Sequence, residues 1–145
     1  MAVTGKVTMI VDAPLDEAYQ KFCDYSLWDQ WMPAGFRPVK GPARVLQAGD
    51  NVKVKLKAVG PAMTVPLKVF RATTNKEITW GGGPKGLLHA EHCFFFEDAG
   101  EGRTRIRSEE TFKGALTLPA PGLMKKEIER IGGEQLQAFS TWISK

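Results

Sequence analysis

His92 and Glu110 are the two side chains in this sequence best suited to move a proton between them. An imidazole titrates near neutral pH, and a carboxylate beside it orients the ring and raises its pKa, which makes a general acid/base pair. The two meet if the segments around them form a hairpin. Leu88 to Glu97 and Arg103 to Phe112 both alternate as half-buried strands do, and Ala99 to Gly102 supplies turn residues between them. A turn centred on Gly100 pairs Phe96 with Thr104, Phe94 with Ile106, His92 with Ser108 and Ala90 with Glu110. Ala90, His92, Phe94 and Phe96 then share an inner face with Thr104, Ile106, Ser108, Glu110 and Phe112. His92 and Glu110 become diagonal neighbours, roughly 7 Å apart between backbones. The pairing depends on the turn, because a slip of one residue sends Glu110 to the other face. Two readings stand for such a pair: a catalytic acid/base, or a buried pair that satisfies itself and ties two strands together.

Other chemistry-bearing residues carry less. His89, Glu91, His92 and Cys93 have a metal-like composition, but residues three apart on a strand point to opposite faces, so no metal is expected. Cys23 and Cys93 have no histidine at a nucleophile spacing and read as inert thiols of a reducing compartment. Gly81-Gly82-Gly83 lacks the lysine and the following helix of a phosphate loop. No serine sits in a Gly-x-Ser-x-Gly elbow, and no cofactor is expected.

The elements that must position the pair follow from periodicity. Val7, Met9 and Val11 mark a first strand over Val3 to Val11, ended by Asp12-Ala13-Pro14. A helix follows, with Asp16 and Glu17 in its first turn, Ala18, Tyr19, Phe22 and Cys23 inward, and its end near Asp24. Trp28, Trp31 and Met32 define a second short helical stretch from Ser26, closed by Pro33. Phe36 to Leu46 reads as an edge or bulged strand, interrupted by Pro38 and Gly41-Pro42. Val52, Val54 and Leu56 alternate with Lys53, Lys55 and Lys57; after a turn at Gly60-Pro61 come Met63, Val65, Leu67 and Val69. Glu77 to Trp80 is a strand that Gly81-Gly82-Gly83-Pro84 breaks, and Gly114 to Pro121 is loop. Gly122 to Ser144 has helical period, with Met124, Ile128, Ile131, Gln135, Phe139 and Trp142 on one stripe. Leu123, Leu136 and Ile143 widen the stripe, and Gly132-Gly133 interrupts it, either as a kink or as a point of close approach.

The chain of 145 residues, 43% hydrophobic and 25% charged, predicts one α+β domain over residues 1–145. No apolar run approaches the roughly 20 residues of a membrane span. No secretory signal is visible in Met1 to Lys6, so a cytoplasmic protein is expected. The net charge of +4 raises the question of nucleic acid. The lysine stripe and a second one, Arg103, Arg105 and Arg107, alternate strictly with apolar or small residues, and Glu97, Glu101 and Glu109 lie near the second. They read as solvated sheet faces, and no nucleic-acid partner is expected.

The chain resembles the START-like polyketide cyclase/dehydrase superfamily (SRPBCC) over essentially its whole length. The resemblance is carried by the early strand, Ala13-Pro14 and its helix, then Asp24, Trp28, Trp31 and Pro33. Ile78-x-Trp80-x-Gly82 follows, and then His92-x-Phe94-x-Phe96-Glu97, a glycine turn, Thr104 and Glu110-x-Phe112-x-Gly114. It implies a helix-grip fold, a curved antiparallel sheet of about seven strands around the C-terminal helix. It also implies functions as varied as hydrophobic-ligand carriage, lipid transfer, aromatase/cyclase chemistry and regulatory binding.

Three functions follow as expectations. The first is binding or carriage of a small hydrophobic or aromatic ligand in an internal cavity lined by Trp31, Trp80, His92, Phe94, Phe96, Glu110, Phe112 and Phe139. The second is a cyclase or dehydratase acting on a polyketide-like or aromatic substrate, with His92 and Glu110 catalytic. The third is a co-chaperone or stress-type interaction domain working through its surface. Phe70, Cys93 and Phe95 should face outward on the sheet, compatible with either a monomer or a homodimer.

Overall fold

The computed structural model describes residues 2–57, 61–117 and 119–145. Met1, Gly60 of the expected Gly60-Pro61 turn, and Leu118 of the expected loop lie outside the described residues. The first strand, β1 (Ala2–Val11), ends opposite Thr104, and three residues on Pro14 stands at the N-cap of α1 (Leu15–Cys23). Asp16 and Glu17 at its start and Lys21 at its end complement the helix dipole. Its buried face is Ala18, Tyr19, Phe22 and Cys23, as the spacing predicts. Asp24 then caps a 3-10 turn, Tyr25–Leu27, by accepting from the Ser26 N–H, and the short α2 (Trp28–Trp31) follows.

Six further strands complete the sheet: β2 (Phe36–Lys40), β3 (Asn51–Leu56), β4 (Met63–Thr73), β5 (Glu77–Gly82), β6 (His89–Gly100) and β7 (Arg103–Lys113). They form one seven-stranded antiparallel sheet in the order β1-β7-β6-β5-β4-β3-β2. The first strand therefore pairs with the last, and the proline-bearing, bulged β2 occupies the opposite edge. The final helix, α3 (Pro121–Ile143), packs across β1 and reaches α2 with its C-terminal half. This is the expected α+β helix-grip architecture.

The structure departs from the sequence reading in several places: the edge strand expected over Phe36 to Leu46 ends at Lys40, and the expected loop holds a 3-10 turn, Ala115–Thr117. The strand at Glu77 runs on through Gly81 and Gly82 before it breaks, because both residues still pair with β6. Leu123 is 66% exposed, since it precedes the point where α3 meets the sheet. Gly132-Gly133 does not interrupt α3. A side chain at Gly132 would place its first carbon 3.3 Å from Ser108 Oγ, so this glycine lets the helix lie close on β7.

The space between α1, α2, the sheet and the C-terminal half of α3 is filled by rings. Phe22 stands at the centre, with ring centroids 5.1 Å from Trp31, 4.7 Å from Phe94 and 5.0 Å from Phe139. Trp28 is fully buried beside Trp80, its indole N–H donating to the Phe22 carbonyl at 2.9 Å.

Candidate functional site

The hairpin of β6 and β7 turns at Glu101 and Gly102, whose φ angles are 56° and 70°, so that Gly100 faces Arg103. Two consecutive positive φ values are the mark of the type I′ turn, whose twist matches that of the strands it joins. Continued without interruption, that turn would set His92 opposite Thr111 and put Glu110 on the outer face. A bulge between Asp98 and Gly100 absorbs one residue and moves the register back. Asp98 then faces Thr104, Phe96 faces Ile106, Phe94 faces Ser108, His92 faces Glu110 and Ala90 faces Phe112. The expected pairs are thus wrong by two residues, because the turn lies beyond Gly100. The expected inner face survives, because the bulge compensates.

His92 and Glu110 are consequently direct neighbours rather than diagonal ones. The imidazole lies between two oxygens: its Nε2 is 2.7 Å from Ser108 Oγ and its Nδ1 is 3.5 Å from Glu110 Oε2. The first distance is a good hydrogen bond, the second a looser polar contact. One face of the ring stacks on Phe94, with centroids 4.0 Å apart. His92 and Ser108 are 5% and 2% exposed, and the Glu110 side chain 17%.

Burial dominates the electrostatics. It holds the His92 imidazole down to about 3 and pushes the Glu110 carboxyl up to about 7. Glu110 does not raise the His92 pKa as expected, because the imidazolium loses more hydration than one loosely placed carboxylate returns. Near neutral pH the ring is uncharged and the carboxyl is close to half-protonated. Ionised Glu110 favours the tautomer with hydrogen on Nδ1, which leaves Nε2 to accept the Ser108 O–H. With Glu110 protonated, hydrogen on Nε2 can instead donate to Ser108.

Ser108 is the member of this row whose role the sequence reading missed. The expected register set it directly opposite His92 without giving it a role; the true register makes it the diagonal neighbour whose hydroxyl meets Nε2. Ser108→Ala should cost about 1–3 kcal/mol in chemical denaturation, because the buried Nε2 loses its one partner. An unchanged midpoint would mean that solvent reaches the ring.

The other expected site residues divide into two groups. Trp31, Trp80, Phe94, Phe96 and Phe139 belong to the ring-filled core; Trp80 and Phe94 stand 4.9 Å apart, and Tyr19 and Phe96 5.1 Å. Phe112 lies one inner-face rung beyond Glu110 and is only half-buried. On that same side Leu56, Val65, Leu67 and Ala90 are also half-buried inner-face residues. Glu110 therefore sits at the boundary between a dry aromatic core and a half-open apolar end of the sheet.

His89 faces outward, its Nδ1 2.9 Å from the Gly83 carbonyl, and cannot join His92. Among the described residues no group of three or more His, Cys, Asp or Glu side chains is placed to hold a metal ion. Cys23 is buried, and burial pushes its thiol well above the usual range. Phe70, Cys93 and Phe95 lie on the outer face; the Arg107 guanidinium covers Phe95 at 4.6 Å, and Phe70 packs near the His89 ring. Arg103, Arg105 and Arg107 pair with Glu101, Glu97 and Glu109, so this stripe is locally neutralised. No helix of the described residues is long and apolar enough to cross a membrane.

The sheet order, the long α3 and the short helices after β1 define the START-like helix-grip fold, and solved structures agree. A START superfamily protein from Mycobacterium smegmatis superposes with a TM-score of 0.77 at 16% identity, over 98% of this chain and 97% of that one. The Zhui aromatase/cyclase from a Streptomyces species gives 0.77 at 15% identity, over 97% and 93%. The protein Ara h 8.0201 gives 0.72 at 14% identity, with both chains covered completely. No protein-family model and no curated protein sequence matches the chain.

Proposed function

We propose that the chain, as a single domain over residues 1–145, binds or carries a small apolar or aromatic molecule between the half-open end of the sheet and α3. Glu110 and His92 supply the orienting polar contacts. The observation that carries this reading is the placement of a desolvated carboxyl, with its histidine and serine, at the edge of half-buried Val65, Leu67, Ala90 and Phe112. A polar row of this kind is costly in an apolar interior, and a ligand with one polar end and a flat apolar body satisfies both parts. The related folds include an aromatase/cyclase, which adds weight to a flat ligand. The same reading makes the protein a cytoplasmic monomer or homodimer without a nucleic-acid partner, consistent with the paired arginine stripe.

The test is native mass spectrometry of the purified protein, followed by organic extraction. The expected result is a discrete small molecule that Ala90→Trp, which fills the half-open end, releases. Retention of that molecule by Ala90→Trp would count against the site. So would an empty protein that takes up no aromatic probe in a manner sensitive to Ala90.

The continuous Ser108–His92–Glu110 row supports a second reading, a cyclase or dehydratase acting on a polyketide-like or aromatic substrate. The roles then reverse from the expected ones. Glu110, with a carboxyl near 7, suits acid/base work at neutral pH, and His92 orients it. Under this reading Glu110→Gln lowers turnover by about 10²-fold or more, whereas a carrier loses only affinity.

A further inference from the structure

The strand register gathers several turns of the chain at one end of the sheet. Met63 pairs with Leu56 across the β3–β4 connection, Gly82 with Ala90 across the β5–β6 loop, and Lys113 with both His89 and Ala2. Gly5 packs against Ile128, and Gly132 against Ser108 and Val7, so α3 also begins at this end. Four apolar side chains stand on these turns: Met63, Leu87, Leu116 and Leu123, between 48% and 66% exposed. Single exposed apolar residues are ordinary. These, however, are four of the six large ones exposed among the described residues, and they share one end. Leu87 and Leu116 are neighbours, the Leu116 N–H donating to the Leu87 carbonyl at 3.1 Å.

Lysines surround the four tips. Lys57, Lys85, Lys113, Lys125 and Lys126 are exposed on the same segments, and none pairs with a carboxylate among the described residues. The acids nearby are engaged elsewhere: Glu127 holds Arg130 at 2.7 Å, and Glu129 accepts from the Lys6 N–H at 3.3 Å. Glu91 stands beside the His89 ring at 3.8 Å. The arginines farther along β7 are neutralised by their own glutamates, whereas these lysines are not. The opposite end of the sheet mixes Asp12, Asp16, Asp98 and Glu101 with Lys76 and Arg103.

The residue types select the partner. Arginine forks on a shaped surface suit the carboxylates of an acidic protein. Here every cation is a lysine, a point charge on a flexible stem, and the apolar groups are separate tips. That combination suits a fluid layer of anionic headgroups, where lysines meet the charge and apolar tips enter the acyl boundary. We propose that this end of the domain docks peripherally on an anionic lipid bilayer, leading with Leu87 and Leu116 and ringed by the five lysines. The docking stands or falls independently of what Glu110 and His92 contact.

The experiment is co-sedimentation of the full chain with vesicles of phosphatidylcholine, alone or with about 30% phosphatidylserine. The expected result is saturable binding to the mixed vesicles, at least tenfold tighter than to phosphatidylcholine and weakened about tenfold by raised salt. Lys125→Gln with Lys126→Gln should weaken it at least tenfold, since each lysine near such a surface contributes about fivefold. Leu87→Ser with Leu116→Ser should cost about tenfold with an unchanged circular dichroism spectrum, because both side chains are exposed. Lys53→Gln with Lys68→Gln removes the same charge from the outer sheet face and should cost less than about threefold. Absence of binding to the mixed vesicles, or equal losses from the two lysine pairs, overturns the proposal. Undiminished binding by the leucine variant also overturns it, and would point instead to an acidic protein as the partner of the lysines.

Discussion

Phe22→Ala should lower stability by about 3–5 kcal/mol, the range found for buried aromatic-to-alanine changes in well-packed cores. The phenyl ring is fully buried and touches five others, Trp31, Trp80, Phe94, Phe96 and Phe139, contributed by α2, β5, β6 and α3. Rigid rings relax poorly into a void, so the loss should lie toward the upper end of that range. For a chain of this size it corresponds to a fall in Tm of roughly 10–20 °C. Denaturant unfolding of the variant, with far-UV circular dichroism to confirm the native fold, measures it. A loss under about 1 kcal/mol would show that the rings collapse freely and that the core is looser than its geometry implies. Added benzene should recover part of the loss, because a dry apolar cavity binds such a molecule.

Glu110→Gln should act in the opposite direction, with a gain that builds between about pH 4.5 and 7. The folded carboxyl titrates near 7, above its unfolded value of 4.5. The unfolded chain releases this proton first, so the native state holds more protons between those values and stability falls as pH rises. His92 runs the other way: its folded value of about 3 lies below 6.5, and stability is lost as pH falls between them. From about pH 4.5 to 6.5 the two slopes cancel, and above that window Glu110 acts alone. A carboxamide does not titrate, and the interval it removes corresponds to about 3 kcal/mol. The variant should therefore exceed the parent by about 3 kcal/mol at pH 8 and match it within about 0.5 kcal/mol at pH 4. Equal stabilities at pH 8 would mean that water reaches the carboxylate and that no desolvated acid exists at this position.

Much of the architecture is legible in the sequence for simple reasons. Strand alternation at Val52, Val54 and Leu56, the helical stripe ending in Phe139, and Pro14 after the first strand each follow from local stereochemistry. The inner face of the last hairpin was legible too, down to His92 and Glu110. Its pairing was not, because a bulge at Ala99 has no signature in a single sequence. Alanine is an unremarked residue there, and only the demand for a tight turn at Glu101-Gly102 exposes the extra position. The nearness of Ser108 to His92 was legible, since the expected register also makes them neighbours, but their hydrogen bond through Nε2 depends on the ring's orientation, which no sequence reveals. The balance of charge was missed for another reason. Sequence shows that a histidine and a carboxylate are near, but how much water each keeps depends on Phe94, Trp80 and α3 together. The role of Gly132 needed the helix-to-sheet distance, which no periodicity reveals.

The pairing of β1 with β7 also has a consequence in time. Thr4 and Thr111, hydrogen-bonded at 2.8 Å, are separated by 107 positions along the chain. At a synthesis rate of about 5–20 residues per second, the first strand is made roughly 5–20 seconds before its partner. Throughout that interval the alternating apolar residues Val7, Met9 and Val11 lack both the neighbouring strand and the helix that cover them in the folded protein, since α3 is made later still. Of the seven strands, β1 is made first and is among the last to find its place, so the nascent domain is exposed to mispairing there.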